Sequence, residues 1–109
     1  MIQGDVYRFT FKEPDKRRPV LILTRNSLIP ELNAITIAPI TTTVRDTGTH
    51  VLIDENDGMS ESCAINLASV QTVPKEKISG YITHLSDEIM EEVFEAIKYT
   101  FGFDKISGK

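Results

Sequence analysis

The sequence predicts a mainly β fold, a small antiparallel barrel or sandwich with one C-terminal α-helix. Two observations carry this expectation. Seven or so short β-branched and aliphatic runs, cut apart by Pro, Gly and Asn/Asp, follow one another through about the first 80 residues. After Ser86 the apolar period changes from that of a strand to that of a helix. The 109 residues suffice for a single domain, 1–109, built on one core.

Residues 4–12 alternate, with Tyr7, Phe9 and Phe11 on one side and Arg8, Thr10 and Lys12 on the other, the period of a half-buried strand. Residues 13–18, with Pro14, form a short charged connection. Pro19 opens a second strand, and the unbroken run Val20-Leu21-Ile22-Leu23 calls for burial on both faces. Residues 26–33, with Ser27 and Pro30, read as a loop with one helical turn. A third strand covers residues 34–40, β-branched at Ile35, Thr36 and Ile37. The threonine-rich stretch 41–49 reads as an exposed loop or hairpin, residues 50–53 as a fourth strand and Asp57-Gly58 as a turn. Residues 63–67, 69–73 and 78–83 complete the strands, separated by Pro74 and Gly80.

The helix carries its own start and stop signals. Ser86 is a good N-cap, Asp87 and Glu88 place negative charge on the first turn, and Leu85 and Met90 occupy the positions of a hydrophobic staple. Ile89, Met90, Val93, Phe94, Ile97 and Phe101 then recur at helical spacing, which predicts about four turns packed on the sheet and ended by Gly102.

Composition removes several function classes. With 40% hydrophobic and 26% charged residues, the chain is neither disordered nor collagenous. Its longest unbroken aliphatic run is the four residues 20–23, where a membrane helix needs about 20. Residues 1–5 show no basic n-region or apolar h-region, so no signal peptide is expected. The lone Cys63 cannot form an internal disulfide, and a cytoplasmic setting is the expectation. The acidic stretch 54–58 invites a calcium reading. Placing Gly58 at the sixth loop position, however, puts Ile53 first and Ala64 twelfth, where oxygen ligands are required. His50, Cys63 and His84 lack metal-ligand spacing, so neither a metal nor another cofactor is expected.

The net charge of −4 hides an asymmetry. Residues 1–53 hold seven basic and five acidic side chains, including all five arginines, whereas residues 54–109 hold five lysines and eleven acids. Arginine suits bidentate phosphate recognition, so the first half permits an anionic ligand. The alternative use of those charges is ordinary solvated surface.

Three stretches, Gly4-Asp5-Val6-Tyr7, Lys16-Arg17-Arg18-Pro19-Val20-Leu21-Ile22-Leu23 and Ala38-Pro39-Ile40-Thr41, resemble the MazF/PemK family of toxin endoribonucleases. Ser69-Val70-Gln71-Thr72-Val73, Ile82-Thr83-His84-Leu85 and the terminal helix extend the resemblance over nearly the whole chain. It implies an SH3-like barrel of the CcdB/PemK-like toxin type with a packed C-terminal helix, acting as a homodimer. Such enzymes cut single-stranded RNA, usually messenger RNA, at short motifs without a metal, and arrest translation until a cognate antitoxin occupies the groove. Operator DNA is a partner only of the toxin–antitoxin complex. The family's catalytic arginine falls on Arg18 and its catalytic threonine on Thr41.

The residue types suit the chemistry. Metal-free cleavage uses the ribose 2′-hydroxyl as nucleophile and must stabilise a phosphorane of increased charge. Arg18 offers a planar fork of N–H donors and a fixed charge, and the Thr41 hydroxyl adds a neutral donor. A guanidinium with a pKa above about 12 stabilises charge rather than shuttles protons, which leaves Glu13, Asp15 or a water as the proton carrier. Lys16, Arg17 and Arg45 are candidate phosphate contacts, and Thr42 and Thr43 candidate contacts to sugar or base edges. Ser69 and Gln71 fall where the family reads bases, although their types do not match. Tyr7 and Phe11 could stack on bases, with core packing as their other use.

The loop between the first two strands, residues 12–17, is shorter than the glycine-rich loop usual in the family. Two other readings of the fold remain in view. One is a CcdB-like gyrase poison, which depends on a tryptophan-bearing tail, whereas this chain has no Trp. The other is a catalytically inactive module that only binds antitoxin or RNA. The RNA face is expected along the basic first half, away from the acidic second half.

Overall fold

The computed structural model describes residues 1–11, 17–45 and 47–103. Within them lie seven strands: β1 (Asp5–Thr10), β2 (Arg17–Ile22), β3 (Ala34–Thr41), β4 (His50–Ile53), β5 (Cys63–Asn66), β6 (Gln71–Pro74) and β7 (Ser79–His84). One 15-residue helix, α1 (Asp87–Phe101), follows. All strand pairs are antiparallel, in the order β4-β5-β3-β2-β1-β7, with β6 also on β3. The two ends of that path, β4 and β7, do not pair with each other, so the sheet curls into an open half-barrel.

β3 is the longest strand, at eight residues, and it serves three partners. Residues 34–37 pair with β6, residues 37–39 with β2, and Ile40 and Thr41 with β5. β5 and β6 are therefore successive neighbours of one strand, offset by the 3-10 turn Leu67–Ser69 between them. The Asn66 side chain accepts from the Ala68 N–H at 3.0 Å and starts that turn, so β6 begins at Gln71 and not at Ser69 as the apolar pattern predicts. β3 and β4 do not form a hairpin across the stretch between them, because β5 lies between the two strands.

Both prolines of the central strands fall where a ladder is interrupted. Pro39 lies between the registers of β6 and β5, and Pro19 precedes Val20, where β3 joins β2. A residue without an N–H costs little at such points, which is how Pro19 can lie inside β2 and not open it.

The sheet buries apolar side chains on both faces. Leu21 joins Val6, Ala38 and Ile40 on one, while Val20 and Ile22 join Phe9, Ile35 and Ile37 on the other. The unbroken run in β2 is thus buried on both sides, each such side chain contributing about 1.5–3 kcal/mol. Helix α1 covers the first face through Met90, Val93 and Ala96, with Ile89 and Ile97 partly buried against it. Ser86 Oγ accepts from the Ile89 N–H at 3.2 Å, and Gly102 caps the other end in the left-handed conformation. The expected apolar stripe is wider than the covered face: Phe94 and Phe101 are 38% and 49% exposed. The sheet spans only the side of the helix centred on Val93.

The Gly4-Asp5 and Thr83-His84 segments lock β1 to β7. Gly4 takes φ 98°, and a Cβ there would lie 3.0 Å from Cε1 of His84. Asp5, buried at 6% exposure, places Oδ1 2.8 Å from Nδ1 of His84 and accepts from the Ile2 N–H at 2.9 Å through Oδ2. The acidic stretch at 54–58 has a structural use. Asp54 accepts from the Asn56 N–H, and Asp57 accepts from the Asp54 N–H, in a reciprocal capping box.

Candidate active site

Strand register brings the two halves of the site together. The β2–β3 ladder ends at Val20 opposite Pro39, and Arg18 and Thr41 lie two residues beyond that pair on their own strands, lining the same cavities. On its other side Arg18 pairs with Phe9 of β1. Arg18 is exposed and Thr41 half-buried, and both line a cleft of about 420 Å³ together with Arg8, Thr42, Met59 and Glu61. Both also border a smaller cavity of about 250 Å³ with Phe11, Asn66, Ser69 and Gln71. The first cleft adjoins the Leu21 face of the sheet and the second the Phe9 face. Arg18 and Thr41 therefore stand at a rim between two cavities.

Local bonding prepares Thr41 as a donor. Its Oγ1 accepts from the Thr43 N–H at 3.1 Å, which leaves the hydroxyl hydrogen to be aimed elsewhere. Thr43 and Arg45 lie around a neighbouring cavity of about 480 Å³ that shares Thr41 and includes His50 and Asn66. The Arg45 N–H donates to Nδ1 of His50 at 3.1 Å, pinning the loop to β4. Arg17 is exposed and, opposite Thr10, sits on the same face of the sheet as Arg8. Glu13, Asp15 and Lys16 lie outside the described residues.

Two charged side chains of the cleft were not singled out from sequence. Arg8 occupies the polar side of the β1 alternation, a position that alone does not distinguish a site residue from solvated surface. Glu61 comes from the acidic second half, which the charge asymmetry alone sets apart from the RNA face. It reaches the cleft because β5 inserts beside β3 and brings the residues before Cys63 with it. Cys63 itself is buried, and burial first, then the charges of Glu61, Asp54 and Asp57, push its thiol above the ordinary value. It is thereby held protonated and is a poor nucleophile. Among the described residues, Lys98 pairs with Glu95 and the Asp5 carboxyl lies against the His84 ring, while Arg8, Arg17 and Arg18 form no ion pair. Nor does any group of three or more His, Cys, Asp or Glu among them gather as a metal site would require.

A curled half-barrel with one terminal helix is the fold of the small MazF toxins. The chain belongs to the PemK-like, MazF-like toxin family of type II toxin–antitoxin systems, whose sequence pattern it matches over residues 2–101. It is 39% identical over 90 residues to endoribonuclease MazF3 of Mycobacterium tuberculosis, covering 83% of this chain and 87% of that protein. The solved structure of Mycobacterium tuberculosis toxin MazF-mt6 superposes with a TM-score of 0.83 at 35% identity, over 90% of this chain and 96% of that one. An endoribonuclease from a mycobacterial species, solved in complex with its cognate antitoxin, shares the fold at a TM-score of 0.83 and 22% identity, over 94% and 95% of the two chains.

Proposed function

We propose that this chain cleaves single-stranded RNA, chiefly messenger RNA, at selected short sequences and without a metal, and so arrests translation. The observation that carries the reading is that Arg18 and Thr41 together line two cavities, one on each face of the sheet. In the proposed reaction the ribose 2′-oxygen attacks the adjacent phosphorus. A P–O2′ bond forms and the P–O5′ bond breaks, leaving a 2′,3′-cyclic phosphate and a 5′-hydroxyl. The 2′-hydroxyl proton passes to a base, and the departing 5′-oxygen gains a proton. Arg18 and the Thr41 hydroxyl donate to the non-bridging oxygens as charge develops there. Glu61, which lines the cleft, is a proposed acceptor of the 2′ proton, and Glu13 and Asp15, outside the described residues, are the other two carboxylates proposed for it.

Lys16, Arg17 and Arg45 contact phosphates, and Thr42 and Thr43 contact sugar or base edges. The half-exposed Phe101, with Leu28 and Leu32, lines an apolar groove beside α1 that supports a homodimer. A cognate antitoxin is the proposed inhibitor, as the antitoxin-bound mycobacterial structure supports, and operator DNA is contacted only by the toxin–antitoxin complex. No helix among the described residues is long and apolar enough to cross a membrane, and the site of action is the cytoplasm, where messenger RNA is translated.

Primer-extension mapping of a long defined RNA incubated in EDTA tests this reading. Discrete cuts at a common short sequence, absent with Arg18→Ala, are expected. Uncut RNA with folded protein would leave only a binding role.

A further inference from the structure

β1 and β2 bring two arginines to one gap. Thr10 faces Arg17 and Arg8 faces Pro19, so Arg8 and Arg17 are diagonal neighbours on the same face of the sheet. The gap lies at Gly80 of β7, where the β1–β7 register slips between Val6↔Thr83 and Arg8↔Ser79. Gly80 takes φ 79°, and a Cβ built on it would lie 3.1 Å from Nη2 of Arg17 and 3.5 Å from Nη1 of Arg8. The two guanidinium groups thus reach the same point from two sides, and any side chain on residue 80 would intrude on it. Neither is ion-paired among the described residues. Two like charges reaching one point repel, and an anion between them removes that repulsion.

We infer that Arg8 and Arg17, converging over the Gly80 bulge, form a phosphate cradle separate from the Arg18–Thr41 rim. It takes an RNA phosphodiester next to the scissile one. The strand geometry gives the path. Arg17 and Arg18 are consecutive in β2 and project to opposite faces, while Arg8 lines the same cleft as Arg18 and Thr41. RNA crossing the sheet edge with its scissile phosphate at the rim places a base in the cavity of Phe11, Asn66 and Gln71. Its neighbouring phosphate then reaches the cradle on the other face. Paired guanidinium forks suit a phosphate's oxygens better than a point charge does. This inference rests on the RNA-cleavage reading for its choice of anion.

The test uses Arg8→Gln and Arg17→Gln, both at exposed positions, with melting temperature as the folding control. The ligand is a cleavable RNA containing the mapped cut sequence, together with a copy carrying 2′-deoxyribose at the cut site so that binding is read without cleavage. Each substitution is expected to weaken binding of the uncleavable RNA about tenfold and to flatten its log–log salt slope by about 0.7, with the loss in cleavage falling on KM more than on kcat. Replacing the phosphate adjoining the cut by a neutral methylphosphonate should weaken wild-type binding similarly and abolish the difference between wild type and both variants. An unchanged salt slope would overturn the cradle. So would variants that still lose affinity on the methylphosphonate RNA, or that lose affinity only for the antitoxin. Wild-type protein that binds the RNA through both arginines but never cuts it would refute the cleavage reading and leave the cradle standing.

Discussion

Thr41→Val, paired with Thr41→Ser, isolates a single hydroxyl. Valine matches threonine in shape and β-branching, so β3 and its pairing with Ala64 are kept and only the hydroxyl is lost. In the folded protein that oxygen accepts one bond, from the Thr43 N–H at 3.1 Å. Thr43 is exposed, so water replaces the bond and the stability cost stays below about 1 kcal/mol. In the proposed transition state the same hydroxyl donates to the phosphorane, and removing one such donor costs about 10²–10³ in rate. Single-turnover cleavage of a defined oligonucleotide at saturating enzyme reads that step, with thermal unfolding alongside. Thr41→Val should lose roughly two to three orders of magnitude in rate with little change in melting temperature, and Thr41→Ser should recover most of it. A valine variant within about tenfold of wild type would refute the assignment of a transition-state donor to Thr41.

Three further outcomes follow from the fold. Asp5→Ala removes the acceptor of the Ile2 N–H and the partner of His84, and should cost about 2 kcal/mol, read as a fall of roughly 10 °C in melting temperature. Gly58→Ala forces a left-handed conformation at φ 95° and sets the new Cβ 2.7 Å from Thr83 Cβ, displacing the bond from Thr83 Oγ1 to the Asp57 carbonyl. It should destabilise by at least about 2 kcal/mol, measured by denaturant unfolding. Cys63, buried and with its thiol pushed up, should be alkylated by iodoacetamide at least about tenfold more slowly than in the unfolded chain at pH 8. Because the unfolded thiol ionises first, this group's contribution to stability is present at neutral pH and is lost as pH rises above the ordinary thiol value.

What could be read along the chain was local. Ser86, the two acids after it, the apolar spacing and Gly102 defined α1 to the residue, because caps and periodicity act within a few positions. The unbroken run in β2 correctly announced burial on both faces. Pairing partners were not legible, since an antiparallel register depends on segments far apart in sequence. The strand end at Thr41, the start of β6 at Gln71 and the insertion of β5 beside β3 all follow from pairing. The site shows the same division. Arg18 and Thr41 stood out through the stretches that resemble a toxin family, whereas Arg8 and Glu61 became visible only when β1 and β5 brought them to the same cleft. The helix stripe misled for a related reason: spacing identifies an apolar face but not how much of it a neighbour covers, and Phe94 and Phe101 remained outside.

The central claim is that Arg18 and Thr41 stabilise attack by a ribose 2′-hydroxyl, and one comparison tests it directly. An oligonucleotide containing the mapped cut sequence is incubated in EDTA with wild type and Arg18→Ala, and its twin carries 2′-deoxyribose at the cut. Products are identified by mass spectrometry. A 2′,3′-cyclic phosphate and a 5′-hydroxyl from the ribose substrate, no product from the deoxy twin, and a fall of at least about 10³ with Arg18→Ala are the predicted results. Cleavage of the deoxy twin, or 5′-phosphate ends, would contradict the account.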